Sequence, residues 1–431
     1  QVPLIDGKRH GKEVNLYKLF LERSVRLLRQ GGECGIVIPS SIYTDLGAMQ
    51  LRAMLFSETA ITGLFGFENR KLVFEGVDTR FKFVVLTFRK GGTTKTFPAA
   101  FMRHDVGDLA RFPDHVGLPI SIDLVKRLSP GSWSVMEFKS ETDVIIAKKA
   151  LRFPLLSEQQ AGKWNLELHR EFNMTDDANL FHEKRSSGRL LLFEGKMIWH
   201  FDCSFSEPRF WIGEKEGRKA LLGKKSDTDQ TLPYQTCRLA YRDVAASTNE
   251  RTMISTVLPS GRFTGNTLVN STAPIDVSEL VFVSTILNSF VIDYLIRQKV
   301  TNHCNMFYVY QLPMPRLAAT DAGFWPLVWR AARLLTPADL FSDLRKELSA
   351  ELKRHRVTLP LGASNTRGLL PATDVDDRAR LRAEIDGLVA HLYGLTEEEF
   401  RHVLSTFPLV PEPVKLAAHN AWRDVQLGLV K

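Results

Sequence analysis

Hydrophobic positions along the first ninety residues change their period several times, and each change marks an element. Residues 14–28 carry Leu16, Leu19, Phe20 and Leu27 on one face at helical spacing, with Lys18, Glu22, Arg26 and Arg29 largely elsewhere. Gly31-Gly32 ends that helix. The unbroken apolar run Cys34-Gly-Ile-Val-Ile38 has the character of a parallel strand buried on both faces, and Pro39 stops it. Ser40 or Ser41 then caps a second helix over residues 46–56. Residues 61–67 form a strand, and residues 81–88, alternating and rich in Phe and Val, form another. Only a loop containing Phe74 and Gly76 lies between these two. A parallel pair would need a crossover, so the pattern predicts an antiparallel hairpin.

The texture changes further along. Gly91-Gly92, Pro113, Pro119 and Pro130-Gly131 punctuate a connecting stretch. From residue 151 to 320, short apolar segments alternate with basic and aromatic residues, as in the stretch 193–200, which predicts a mixed α/β or mainly β module. After it, residues 321–352 and 374–393 read as helices, with Leu381, Ile385, Leu388, Val389 and Leu392 on one face and Gly394 as the stop. Thr396 and three following glutamates open the next helix with a cap and a favourable dipole.

Composition sets the limits. A chain of 431 residues exceeds one ordinary domain of about 150. With 44% hydrophobic and 25% charged residues it is neither disordered nor collagen-like. No run reaches the roughly 20 apolar residues of a membrane span, so no membrane association is expected. Four scattered cysteines without a Cys-x-x-Cys pair argue against a zinc site and fit free thiols in a reducing cytoplasm. Lys plus Arg exceed Asp plus Glu by 57 − 49 = 8, a moderate lean toward a polyanionic partner.

The run from Asn15-Leu-Tyr-Lys-Leu-Phe20 through Arg29-Gln-Gly-Gly32, then Gly35-Ile-Val-Ile-Pro39, is similar to the segment that follows the catalytic motif in N6-adenine DNA methyltransferases. Leu72-Val-Phe-Glu-Gly-Val-Asp-Thr-Arg-Phe-Lys-Phe-Val-Val85 resembles their later loop and hairpin. The resemblance implies an α/β fold, the closing half of a Rossmann-like methyltransferase sheet with an antiparallel hairpin. Phe20 then matches the aromatic beside the adenine ring of S-adenosylmethionine, and Phe74 the aromatic that packs on the flipped target base. Tyr241-Arg-Asp243, Thr248-Asn-Glu-Arg251, Leu287-Asn-Ser-Phe-Val-Ile-Asp-Tyr294 and Arg297-Gln-Lys299 resemble the target recognition domains of large single-chain restriction–modification and phage-defence enzymes. The resulting expectation is a catalytic-domain half over 1–110, a connector over 111–150, a mixed α/β target recognition domain over 151–320 and a helical C-terminal region over 321–431.

Two family motifs have no counterpart. There is no glycine-rich cofactor turn and no Asn/Asp-Pro-Pro-Tyr/Phe loop, and no Pro-Pro pair occurs anywhere in the chain. In the family's motif order both precede Asn15. The chain, which opens on Gln1, therefore reads as the C-terminal part of a larger enzyme. It holds no catalytic residue of its own, needs its N-terminal part as a partner, and would leave strand 35–38 with a bare edge and face. Its contribution would be recognition of double-stranded DNA, with Arg185, Lys196, Arg242, Arg251 and Lys299 as candidate contacts. That chemistry requires no metal. Two other readings stand beside it: a non-catalytic DNA-specificity module with a methyltransferase remnant, and a metal-dependent nuclease built on Glu194-Gly-Lys196 with Asp114. The tripeptide is common and its spacing to Asp114 is too long for such a core.

Overall fold

The computed structural model describes residues 4–5, 8–9, 15–272, 275–300 and 303–431. The chain divides into two compact units, Gln1–Leu151 and Arg152–Lys431. Both are mixed α/β.

The first unit is built on helix α1 (Leu16–Leu27), strand β1 (Glu33–Pro39), helix α2 (Met49–Glu58) and strands β2 (Thr59–Glu68), β3 (Lys82–Lys90), β4 (Thr96–Arg103) and β5 (Leu118–Ser121). The sheet order is β1-β3-β2-β4-β5. Strand β3 runs antiparallel between β1 and β2, while β4 joins the far side of β2 in parallel. The predicted hairpin is therefore present, and its returning strand inserts between the two earlier strands. Helix α1 ends earlier than the glycine pair predicts, with Leu28 as its cap, and Gly31, at φ +74°, makes the left-handed turn that leads into β1.

Two features differ from the pattern reading. Strand β1 is not a parallel strand with both faces covered. Its partner is antiparallel β3, its other edge carries no strand among the described residues, and its exposure alternates, with Val37 open to solvent. A run of small and branched apolar residues reads the same whether its second face is buried or bare. The stretch 91–150 is also more than connection. It supplies β4, β5 and helices α3 (Ile122–Leu128) and α4 (Glu141–Ala150) to the same unit. Pro98 and Pro119, which face each other across the β4–β5 ladder, disguise both strands in the sequence.

Helix α1 carries a second surprise. Its buried face is Tyr17, Leu21 and Val25, four residues apart each time. The face predicted to be core, Leu16, Leu19, Phe20 and Leu27, is exposed, Phe20 by 65% and Leu27 by 69%. The helix is apolar on two sides, and only one is covered within the unit.

The second unit contains two small sheets besides a short two-stranded ladder that pairs residues 364–365 with 368–369. One joins β6 (Leu168–His169), β9 (Arg238–Arg242), β10 (Ser255–Leu258) and β12 (Leu268–Ser271), all antiparallel. The other joins β7 (Arg189–Phe193), β8 (Phe210–Gly213) and β11 (Phe263–Thr264), with helix α5 (Glu214–Leu222) continuing from β8. The buried Glu171 carboxylate ties the two sheets together, because the two terminal guanidinium nitrogens of Arg238 on β9 and the Thr264 N–H of β11 donate to it. Helices α6 (Val277–Leu287) and α7 (Phe290–Arg297) fill the interior. No single helix among the described residues is long and apolar enough to cross a membrane. These two would reach such a length only together, but they are bent by 59° to one another, and nearly every residue in them is buried.

The C-terminal helices α8 (Phe324–Leu334), α9 (Ser342–Arg354), α10 (Val375–Leu392), α11 (Glu397–Ser405) and α12 (Glu412–Gln426) belong to this same unit. Tyr393 donates to the Pro313 carbonyl at 2.6 Å, and Phe290 of α7 meets Phe407 edge-on. Gly394 ends α10 at φ +67°, and Thr396 and Glu399 cap α11 reciprocally.

Candidate nucleic-acid interface

The loop between β2 and β3 is built around one side chain. Asn69 is wholly buried, and its amide nitrogen donates to the carbonyls of Phe74 and Val77, each at 3.0 Å. Its amide oxygen accepts the Phe74 N–H at 3.0 Å. Three backbone groups of an otherwise irregular loop are thereby satisfied, which fixes where Phe74 emerges. The Phe74 ring stays 43% exposed and stands edge-on to Phe83, centroids 4.8 Å apart. Phe83 stacks on Phe67, which packs on Phe65, so the exposed ring ends a row of buried aromatics. Such a ring offers apolar contact without needing to be core.

Beside the loop, Glu68 accepts hydrogen bonds from Arg70 and His104. Burial alone would raise its carboxyl; those bonds outweigh it and hold the group below the usual range. On α1, exposed Phe20 shares its face with Leu16 and Leu19, a wide apolar surface for a helix end.

The five candidate DNA contacts separate into two groups. Arg185 and Lys196 are exposed. Lys196 lies on the 195–197 turn, 3.4 Å from the Glu194 carboxylate. Arg242, Arg251 and Lys299 are employed inside the unit. Arg242 donates to the carbonyls of Gly195 and Ile198, so it holds the turn that presents Lys196 and does not itself face outward.

Arg251 is buried, pairs with Asp293 at 2.6 Å, donates to the Asn288 carbonyl and lies over the Phe290 ring. Asp293 also receives Arg297 and the Thr252 N–H. The segments around 248–251 and 287–297 thus interlock around one carboxylate; their charges build the module. Lys299 is half-buried and donates to Gln311 Oε1 at 2.7 Å. Loss of hydration pushes its ammonium down to about 7, too low for a dependable phosphate anchor at neutral pH. The sequence does not distinguish an arginine that faces phosphate from one that faces a buried aspartate, since both sit in polar, loop-rich stretches.

Asp114 and Glu194 fall in different units, and among the described residues no three His, Cys, Asp or Glu side chains converge as a metal site would require. The positioning role of Asn69 escaped the sequence reading. Its only signal is an Asn at a strand end ahead of a glycine-containing loop.

The first unit has the sheet order and inserted antiparallel strand of the closing half of a methyltransferase-type α/β domain. Residues 5–74, a stretch that includes both Phe20 and Phe74, match the model of the Eco57I restriction-modification methylase family. No curated protein matches the chain. Among solved structures it is similar to the type IIG restriction endonuclease BpuSI, at 11% identity and TM-score 0.33, over 89% of this chain and 50% of that one. It is also similar to the type IIL restriction-modification enzyme MmeI in complex with DNA, at 11% identity and TM-score 0.42, over 96% of this chain and 52% of that one. The type ISP enzyme LlaGI, a nuclease-deletion mutant with a DNA substrate mimic, gives 11% identity and TM-score 0.40 over 74% and 36%. The chain spans about half the length of the BpuSI and MmeI chains.

Proposed function

We propose that this chain is the C-terminal part of a site-specific DNA adenine-N6 methyltransferase of a restriction–modification or phage-defence system. The observation that carries the reading is the bare apolar face of α1 together with the open edge of β1, inside the segment that matches the methylase family. A helix apolar on two sides and a sheet edge beside it are complementary to the other half of the same sheet, which would add a parallel strand to β1 and cover Leu16, Leu19, Phe20 and Leu27.

In that complex Phe20 would lie against the cofactor and Phe74 against the extracted base. Flipping a base out of the stack costs a few kcal/mol, and apolar contact with a pre-positioned ring recovers part of it. S-adenosylmethionine would supply the methyl group. The chain's own residues bind and orient: Asn69 fixes the Phe74 loop, and the second unit offers Arg185 and Lys196 to DNA, with Arg242 supporting the Lys196 turn. Two exposed cations bind sequence-independently; base reading would fall to neighbouring polar side chains of that unit.

The test is transfer of labelled methyl from S-adenosylmethionine to plasmid DNA by this chain and by the complete gene product. Activity confined to the longer protein, at adenine N6, is the expected result. Activity in neither would refute the methyltransferase reading in favour of a specificity module. Activity in this chain alone would mean that the cofactor site lies elsewhere.

A further inference from the structure

The second unit contains a cavity of about 350 Å³ between α10, the start of α12, the α6–α7 junction and the turn around Trp199. That size falls within the roughly 300–1,000 Å³ of ordinary small-ligand sites. Its walls are mainly apolar, with Ala383, Phe290, Val410 and Pro413 among them, and it reaches the surface where exposed Ala379 and Val414 line it. Six polar or charged side chains interrupt this lining: His200, Glu250, Arg251, Asn288, Arg382 and Asp386. Arg382 and Asp386 lie four residues apart on α10 and both line the cavity.

Neither is satisfied by the protein. Arg382 makes no hydrogen bond or ion pair among the described residues. Asp386 accepts one bond at Oδ1 from the Phe290 N–H, at 2.9 Å, and no other among the described residues. An Arg and an Asp at this spacing on a helix ordinarily pair with each other. Here no ion pair joins them, although His200 bonds the Met253 carbonyl, Arg251 pairs with Asp293 and Asn288 bonds Ser255, while Glu250 is exposed to solvent.

The chemistry of the ligand follows from what these two groups lack. A hydrocarbon would leave the half-buried Arg382 without a partner and Asp386 with only its bond from Phe290. A simple anion would answer Arg382 but confront the Asp386 carboxylate. A zwitterion would answer both, yet would carry two full charges into a mainly apolar cavity, where desolvation costs several kcal/mol per ion. A neutral planar ring with an acceptor beside a donor answers both without that penalty. We propose that this cavity is a nucleobase site, in which a ring carbonyl or ring nitrogen accepts from Arg382 and an adjacent amino group donates to Asp386. The same base edge could arrive on a free nucleoside or on an unpaired nucleotide of a DNA strand. This site is separate from Phe74, and its existence does not depend on the methyl-transfer reading.

Calorimetric titration of the full chain with guanosine, cytidine and adenosine, with leucine and inorganic phosphate as comparison ligands, tests it. At least one nucleoside should bind measurably. Arg382→Met and Asp386→Asn should each weaken it by about tenfold or more, the size of one lost polar contact to a charged group. Ala379→Trp, at the exposed mouth, should abolish binding, and thermal melting would verify that each variant folds. Displacement of the bound nucleoside by a single-stranded oligonucleotide, but not by one carrying only abasic sites, would assign the base to DNA. Failure to displace would assign it to a free nucleoside. Binding of leucine or phosphate in place of nucleosides, no binding at all, or nucleoside binding unchanged in Ala379→Trp and Arg382→Met would overturn the proposal.

Discussion

Asn69 holds the backbone of Phe74 from both sides, accepting its N–H and donating to its carbonyl, each at 3.0 Å. A fully buried amide thereby sets the position of a half-exposed ring. The two residues should consequently respond to mutation in opposite ways. Asn69→Ala leaves three backbone groups without partners and should destabilise the first unit by about 2–3 kcal/mol, with earlier proteolysis in the 70–80 loop. Phe74→Ala should cost less, about 1 kcal/mol, because 43% of the residue stays exposed. Denaturant unfolding of both variants checks this. In the complete enzyme, Phe74→Ala should weaken methylation or binding of a flipped adenine with little loss of stability; an equal loss of folding would make Phe74 a core residue.

The apolar outer face of α1 should behave as an interface. Phe20→Ser and Leu27→Ser should change the stability of this chain by no more than about 0.5–1 kcal/mol, since neither ring nor branch is packed. Self-association, followed by sedimentation, should fall in both. If the double variant associates as the parent does, this face is not what drives it.

DNA affinity should depend on the exposed cations. Lys196→Ala and Arg185→Ala should each weaken binding to duplex DNA, lowering the slope of log K against log salt by about one, with stability unaltered. Arg242→Ala should weaken DNA binding through the freed 195–198 turn, so Lys196→Ala should add little on top of it. Fluorescence anisotropy at several salt concentrations measures these slopes.

Arg251 offers the contrasting case. Arg251→Ala strands the buried Asp293 carboxylate with one cation fewer and should cost about 3–5 kcal/mol. A variant that melts like the parent and loses only DNA affinity would return Arg251 to the DNA-contact group.

Burial pushes the Asp386 carboxyl up to about 6, against the opposing charge of Arg251 and the bond from Phe290. The native state then keeps this proton at a pH where the unfolded chain, near 3.9, has lost it. Stability should therefore fall as pH rises from about 4 to about 6 and level off above. Asp386→Asn, which can keep the bond from Phe290 at Oδ1, removes this effect. Relative to the parent it should gain of order 2 kcal/mol between pH 4 and pH 7 by denaturant unfolding.

Period and punctuation in the sequence determined the elements of the first unit: the α1–β1–α2–β2 succession and the absence of a crossover before β3, hence its antiparallel return; in the second unit they determined the glycine stop at Gly394. Those signals are local, and the chain's own neighbours decide them. Tertiary structure decided which of the two apolar faces of α1 is covered, since Tyr17-Leu21-Val25 and Leu16-Phe20-Leu27 look alike until a sheet chooses one. It also decided that Pro98 and Pro119 lie inside paired strands.

The same holds at the candidate site. The sequence marked Phe74 but not its support, because Asn69 acts through hydrogen bonds to a loop whose path only folding creates. It marked five cations alike, and the fold turned Arg242, Arg251 and Lys299 inward by supplying carbonyl and carboxylate partners from residues 12 to 47 positions away. A charge declares itself in sequence; whether water or protein answers it is settled only by what the fold brings against it.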